Sequence, residues 1–164
     1  MNTETQRAAM GKLSFLVGKW SGEARMLRGP GQMVDLVQTE EAEYKLDGLV
    51  LTIEGCGRAK ADGVAVLQAF GIISYDDEHA VYQMRAFNDG RWLETEVRLA
   101  EDGQGMTWGF ALGEVRTSSV LRINEAGEWT EHAEITFGSQ APKTLLEVAV
   151  RRQQASPGVA TRHA

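Results

Sequence analysis

The stretch MTWGFALGEVRTSSVLRIN, Met106 to Asn124, decides the fold. Met106, Trp108, Phe110 and Leu112 fall at every second position, with Thr107, Gly109 and Ala111 between them. After Gly113-Glu114 the alternation resumes: Val115, Thr117, Ser119, Leu121 and Ile123 oppose Arg116, Ser118, Val120 and Arg122. A period of two puts alternate side chains on opposite faces of a strand, and two such runs joined by a Gly-containing turn read as a hairpin. The same unit recurs in both directions along the chain. Gly29-Pro30-Gly31, Asp47-Gly48, Asp62-Gly63, Asp76-Asp77, Asp89-Gly90, Asp102-Gly103, Ala126-Gly127 and Gly138 to Pro142 supply residues that tolerate positive φ or break a strand. The turns delimit about ten strand-length segments: Lys19–Arg28, Met33–Lys45, Leu49–Ala59, Val64–Tyr75, Ala80–Asn88, Arg91–Leu99, Met106–Leu112, Val115–Asn124, Trp129–Phe137 and Lys143–Arg151.

No helical pattern separates these segments, so the crossovers of a parallel sheet are missing. An antiparallel meander this long must curl, and closure removes its exposed edges. The expected fold is all-β: a closed up-and-down antiparallel barrel of about ten strands, with a two-sheet sandwich as the alternative. Ahead of it, Asn2 to Leu16 reads as a short helix, capped by Thr3 with Gln6 completing a capping box. Its stripe of Ala9, Leu13, Phe15 and Leu16 faces the barrel. The organisation predicted is residues 1–17 as a helix packing on the barrel, 18–152 as the barrel and 153–164 as a flexible tail.

Composition narrows the function. The 164 residues carry 17 Lys plus Arg against 23 Asp plus Glu, a net charge of −6, which argues against a nucleic-acid partner. No run approaches the ~20 apolar residues of a membrane helix. Met1 to Lys12 is polar and mixed in charge, unlike a signal peptide. The lone Cys56 excludes an internal disulfide and fits a reducing cytoplasm. There are 18 glycines but only 3 prolines. Those inside strands, such as Gly22, Gly55, Gly57, Gly71 and Gly109, read as positions of sharp barrel curvature.

Parity selects candidate site residues. Tyr44, Trp108, Phe110, Leu121 and Ile135 are expected to form the wall of an apolar cavity. Gln38, Glu40, Thr95, Thr117, Ser119 and Glu131 share parity with apolar faces. Such groups either converge on a ligand or lie at a bulge or a wet rim, and small hydroxyls also bond to local backbone. Thr95, Thr117, Ser119, Glu40 and Glu131 are therefore carried as candidate ligand-binding residues. The strings Glu40 to Glu43 and Asp76 to Glu78 also fit solvated faces and turns. Cys56 reads as a plain buried thiol. Val64 to Tyr75 and Ala80 to Asn88 are apolar on both faces, which leaves their inward side open and suggests an outer cover, such as the second subunit of a homodimer.

Leu16-Val17-Gly18-Lys19-Trp20-Ser21-Gly22, a short helix running into Gly-x-Trp and then a meander, resembles the lipocalin-like barrels of the calycin superfamily. It is most similar to a bacterial lipocalin-like family of unknown function, related in fold to nitrobindin. The resemblance covers about residues 8 to 152. Gly71 to Asp76 is similar to the family's glycine-tyrosine-aspartate motif, with Ile72, Ile73 and Ser74 intervening. It implies that Trp20 packs at the closed end and that Arg151 or Arg152 covers it. Nitrobindin-like barrels hold haem through a late histidine, but Thr144 to Arg152 contains none, so no cofactor is expected. The function expected is binding of a small hydrophobic or amphipathic ligand. The alternatives are an enzyme using Glu40 or Glu131 as general base, and a filled barrel acting through a dimer surface.

Overall fold

The computed structural model describes residues 1–88 and 90–154. Ten antiparallel strands close into one barrel: β1 Gly18–Gly29, β2 Gln32–Lys45, β3 Val50–Ala59, β4 Ala65–Asp76, β5 Val81–Asn88, β6 Arg91–Leu99, β7 Gly105–Leu112, β8 Val115–Ile123, β9 Glu128–Phe137 and β10 Lys143–Arg152. Each neighbours the next in sequence, and β1 bonds to both β2 and β10. Every boundary lies within one residue of that expected from the turn residues. Asp47 and Gly48 adopt φ of 55° and 83° in the β2–β3 turn. Leu46 joins them at φ 50° and is 72% exposed, so the inward place that parity gives it is replaced by the turn.

The helix is shorter than its apolar stripe implies. α1 covers Thr3–Gly11, and a 3-10 turn at Ser14–Leu16 follows. Asn2 rather than Thr3 is the cap, its Oδ1 accepting from the amides of Glu4 and Thr5 at 3.0 and 3.2 Å. Gln6 leaves the capping box and donates to Asp77 Oδ1 at 2.7 Å, while the Asn2 amide donates to Asp77 Oδ2 at 2.6 Å. Asp77 is thus a tether between the helix and the β4–β5 turn, and these bonds lower its pKa. Met10, Leu13 and Leu16 are fully buried over one end of the barrel.

That end is closed by Trp20. Its indole donates to the Leu16 carbonyl at 2.8 Å, and its ring meets Trp129 edge-on at 5.7 Å. Arg152 lies over the Trp20 ring, 4.1 Å from its centroid, and donates to the carbonyls of Phe15 (2.9 Å) and Val17. The guanidinium so satisfies backbone oxygens that the short 3-10 turn leaves free.

In β4 and β5 the inward face is Leu67, Ala69, Gly71, Ile73, Tyr82, Met84 and Ala86. Phe70, Phe87 and Trp92 stand on the outside as one aromatic ridge across β4, β5 and β6, with centroids 6.4 and 6.5 Å apart. Cys56 also turns outward and is half-buried, not fully buried. The glutamates of the acidic string separate by parity: Glu41 and Glu43 face out, paired with Lys19 and Lys45, while Glu40 faces in. Within the tail, residues 155–164 lie outside the described residues. Among the described residues no helix is long and apolar enough to cross a membrane.

Candidate functional site

Above the Trp20–Trp129 pair the barrel is hollow. A cavity of about 340 Å³ runs from Trp129 toward the opposite end, where the β1–β2, β7–β8 and β9–β10 turns lie. Its upper wall is apolar, with Met26, Leu93, Phe110 and Leu146. Space exists because the inward residues of several strands are small: Ala69, Gly71, Ala86 and Ala133. Four large side chains there would have filled it.

Four polar residues gather in the lower half, while Thr117 on the Phe110 row and Asn88 at the end of β5 are the other polar lining residues. Gln38 and Glu40 come from β2, Ser119 from β8 and Glu131 from β9. The two β2 residues are accommodated by β3. Gly57 pairs with Gln38 and Gly55 with Glu40. A Cβ on Gly57 would stand 2.6 Å from Gln38 Oε1, and one on Gly55 would stand 2.7 Å from Glu40 Oε2. The Gly-Cys-Gly sequence therefore provides room for two inward polar side chains, in addition to any effect on curvature.

Gln38 Nε2 donates to Glu40 Oε1 at 2.7 Å. This leaves Gln38 Oε1, fully buried, with no hydrogen-bond partner, and Trp129 Nε1 is the second such atom. Burial pushes the Glu40 carboxyl up to about 8, helped by repulsion from Glu131 and opposed by the Gln38 hydrogen bond. Burial pushes Glu131 up to about 7, with the neighbouring Ser119 hydroxyl offsetting part of the effect. Near neutral pH, Glu40 is then mostly the acid and Glu131 is divided between acid and carboxylate. Glu40 and Glu131 are the only ionisable side chains lining the cavity among the described residues.

Seven of the ten candidate wall and ligand-binding residues line this cavity, namely Glu40, Trp108, Phe110, Thr117, Ser119, Leu121 and Glu131, and Gln38 joins them. No bulge flips either glutamate: β2 keeps a continuous register with β3 across Glu40, and β9 with β8 across Glu131. Thr117 does both expected jobs, lining the cavity while its Oγ1 accepts from the Phe110 amide at 3.2 Å. Three residues are not in the wall. Tyr44 lies below the cavity and donates to the Met10 carbonyl at 2.7 Å, matching Tyr82, which donates to Ala9 at 2.7 Å. Both tyrosines anchor α1. Thr95 donates to the Gly109 carbonyl at 2.7 Å and is spent on that bond. Ile135 shares the inward face of β9 but sits beside Thr117, beyond the lining.

Parity placed Gln38 on the right face, yet its importance lies in a free oxygen that only coordinates reveal. Trp129 was readable as inward, but its unpartnered N–H was not. The readable signal for the polar pair was Gly55 and Gly57, two residues without side chains at the spacing of Gln38 and Glu40.

One side of the barrel is incompletely sewn. β6 and β7 share only two paired rows, Arg98 with Thr107 and Leu99 with Met106, where every other neighbouring pair shares at least seven. Toward the open end the strands part, bridged by the Thr95–Gly109 bond, and Leu93, Phe110 and Leu112 of this seam line the cavity.

Among the described residues no histidine lines the cavity. His132 is on the outer face beside Glu134 and Glu147, and His79 is in a turn, bonded to Asp76 at 2.8 Å. His163 lies outside the described residues. Among the described residues no group of three or more His, Cys, Asp or Glu is placed to hold a metal ion.

No family model matches the chain, and no curated protein matches it either. Among solved structures it is similar to the crystal structure of Rv2717c from M. tuberculosis, with a TM-score of 0.66 and 15% sequence identity, covering 89% of this chain and 98% of that one. At that identity the likeness is one of fold, and the chain is a closed ten-stranded antiparallel barrel of that architecture.

Proposed function

We propose that this is a lipocalin-like binding protein whose barrel takes up a small amphipathic molecule, polar end down among Gln38, Glu40, Ser119 and Glu131, apolar end among Leu93, Phe110 and Leu146. The carrying observation is the cavity itself, a largely apolar chamber of about 340 Å³ with two carboxyl groups and a glutamine among its lining. A barrel serving only as a rigid body would gain stability by filling that volume. The net charge of −6 supports a small-molecule partner over a nucleic acid.

The test is displacement fluorescence with the neutral apolar dye N-phenyl-1-naphthylamine. Wild-type protein binds the dye, and Ala86→Phe, which fills the cavity from β5, abolishes binding while the protein stays folded. Dye binding unaffected by Ala86→Phe puts the dye elsewhere and removes the proposal. A native mass spectrum of purified protein reads the same question by the mass of any co-purified guest.

A second reading is favoured by the carboxyl pair. Two acids held apart in protonation state can relay a proton, Glu131 accepting from a bound substrate and protonated Glu40 donating to it. Glu131→Gln then stops conversion of whatever guest it still holds, read by mass spectrometry of the bound molecule over time.

A further inference from the structure

Resting on the binding reading above, we infer that the cavity's occupant is an amine, an amphipathic molecule whose ammonium group lies between Glu40 and Glu131 with its apolar remainder against Leu93, Phe110 and Leu146. The argument is a balance of polar atoms. The cavity floor holds two carboxyl groups and the unpartnered Gln38 Oε1, all acceptors once the carboxyls ionise, against the donors Trp129 Nε1 and the Ser119 hydroxyl. The remaining polar lining residues, Thr117 and Asn88, stand on the rows of Phe110 and Ala69. No Lys, Arg or His lines the cavity among the described residues. The chain thus buries two acids without supplying a counter-charge, and an unpaired buried carboxylate is costly. A guest that brings both positive charge and several N–H donors satisfies the carboxylates and Gln38 Oε1 together. An alcohol brings one donor and no charge, and a carboxylic acid adds repulsion. Trp129 and Trp108 also line the cavity, and aromatic rings attract a cation.

Occupancy by an ammonium selects the ionised carboxyls. With Glu131 near 7 and Glu40 near 8, binding at pH 6.5 expels protons, and affinity rises as pH increases from 6 to 8. These two residues are the only ionisable groups facing the guest among the described residues.

The experiment uses the whole chain and three probes of similar shape: 2-phenylethylamine, 2-phenylethanol and phenylacetate, each displacing N-phenyl-1-naphthylamine at pH 8. The amine is expected to bind at least about tenfold more tightly than the alcohol, with phenylacetate weakest. Glu40→Gln and Glu131→Gln each narrow the amine-over-alcohol ratio by at least about fivefold, and a ratio that both variants leave unchanged overturns the inference. An alcohol that equals or exceeds the amine overturns the inference while leaving the cavity as a binding site. Failure of the dye and all three probes to bind removes the binding reading itself. Should a glutamine variant not fold, calorimetry of wild type at pH 6.5 in two buffers of different ionisation enthalpy decides: proton release with the amine supports the inference, and its absence overturns it.

Discussion

Replacing Glu40 by glutamine should stabilise this protein at alkaline pH, the reverse of the usual result for removing a hydrogen-bonded buried side chain. The ordinary carboxyl value is 4.5, and burial beside Glu131 pushes Glu40 up to about 8. A group whose pKa is higher folded than unfolded holds its proton more tightly in the native state. Its effect is therefore nil below about pH 4.5, grows as pH rises, and levels off above 8 as a loss of stability. A factor of ten in acidity corresponds to about 1.4 kcal/mol, so the ceiling for Glu40 is about 5 kcal/mol. Glu131, raised from 4.5 to about 7, carries about 3 kcal/mol by the same arithmetic. The two repel one another, so their sum overstates the pair and a few kcal/mol in total is expected. Glutamine imitates the protonated acid in shape and keeps an oxygen for Gln38 Nε2. Urea unfolding of wild type and Glu40→Gln at pH 5, 7 and 9 is the assay. The curves should coincide within about 1 kcal/mol at pH 5, and the variant should lead by about 3 kcal/mol at pH 9. Parallel pH dependences, or a wild type that gains on the variant as pH rises, would refute the burial of this carboxyl.

Other consequences are testable by routine measurement. Gly57→Ala places a Cβ 2.6 Å from Gln38 Oε1, 2.8 Å from Leu36 Cδ1 and 3.2 Å from Leu67 Cβ, and should cost about 1–3 kcal/mol in thermal unfolding. Gly71→Ala meets nothing nearer than 3.9 Å and should cost less than Gly57→Ala, so a reversed order would contradict the packing described. Arg152→Ala strips the cover from Trp20 and frees two carbonyls, for a loss of about 1–2 kcal/mol and a red shift in tryptophan emission. Tyr82→Phe removes the bond to the Ala9 carbonyl, at about 1 kcal/mol, and should speed amide exchange in Thr3–Gly11 before it affects the strands.

Face was legible in the sequence, and height along the barrel was not. Alternation put Trp108, Leu121, Glu131 and Ile135 correctly on the inside, because a strand has only two sides. Whether an inward residue reaches the cavity, the plug beneath it or the rim depends on turn lengths and on the stagger between strands, and those are properties of the closed sheet. Tyr44 and Ile135 have the right parity at the wrong depth, one below the cavity and one beyond it. Thr95 is also outside the wall, its hydroxyl given to Gly109. Helix capping failed for a local reason: Asn2 and Thr3 both suit the position, and the partner that decides, Asp77, is distant in sequence. In β4 the alternation was hidden because large residues, Phe70 and Ile72, face outward and small ones, Ala69 and Gly71, face in. Hollow barrels invert the usual size rule there, and that inversion is itself a readable sign of a cavity.

The sparse pairing between β6 and β7 bears on how fast a guest comes and goes. In a wall bonded around its whole girth, widening means unzipping a ladder, a collective event on the microsecond-to-millisecond scale. Here the wall already ends at Arg98 and Thr107, and above them only the Thr95 hydroxyl spans the gap. Swinging Leu93, Phe110 and Leu112 aside needs rotamer changes and one broken hydrogen bond, which belong to a much faster regime. For a guest bound as proposed above, exchange would be paced by that guest's own hold on the floor of the chamber, as from a container without a latch.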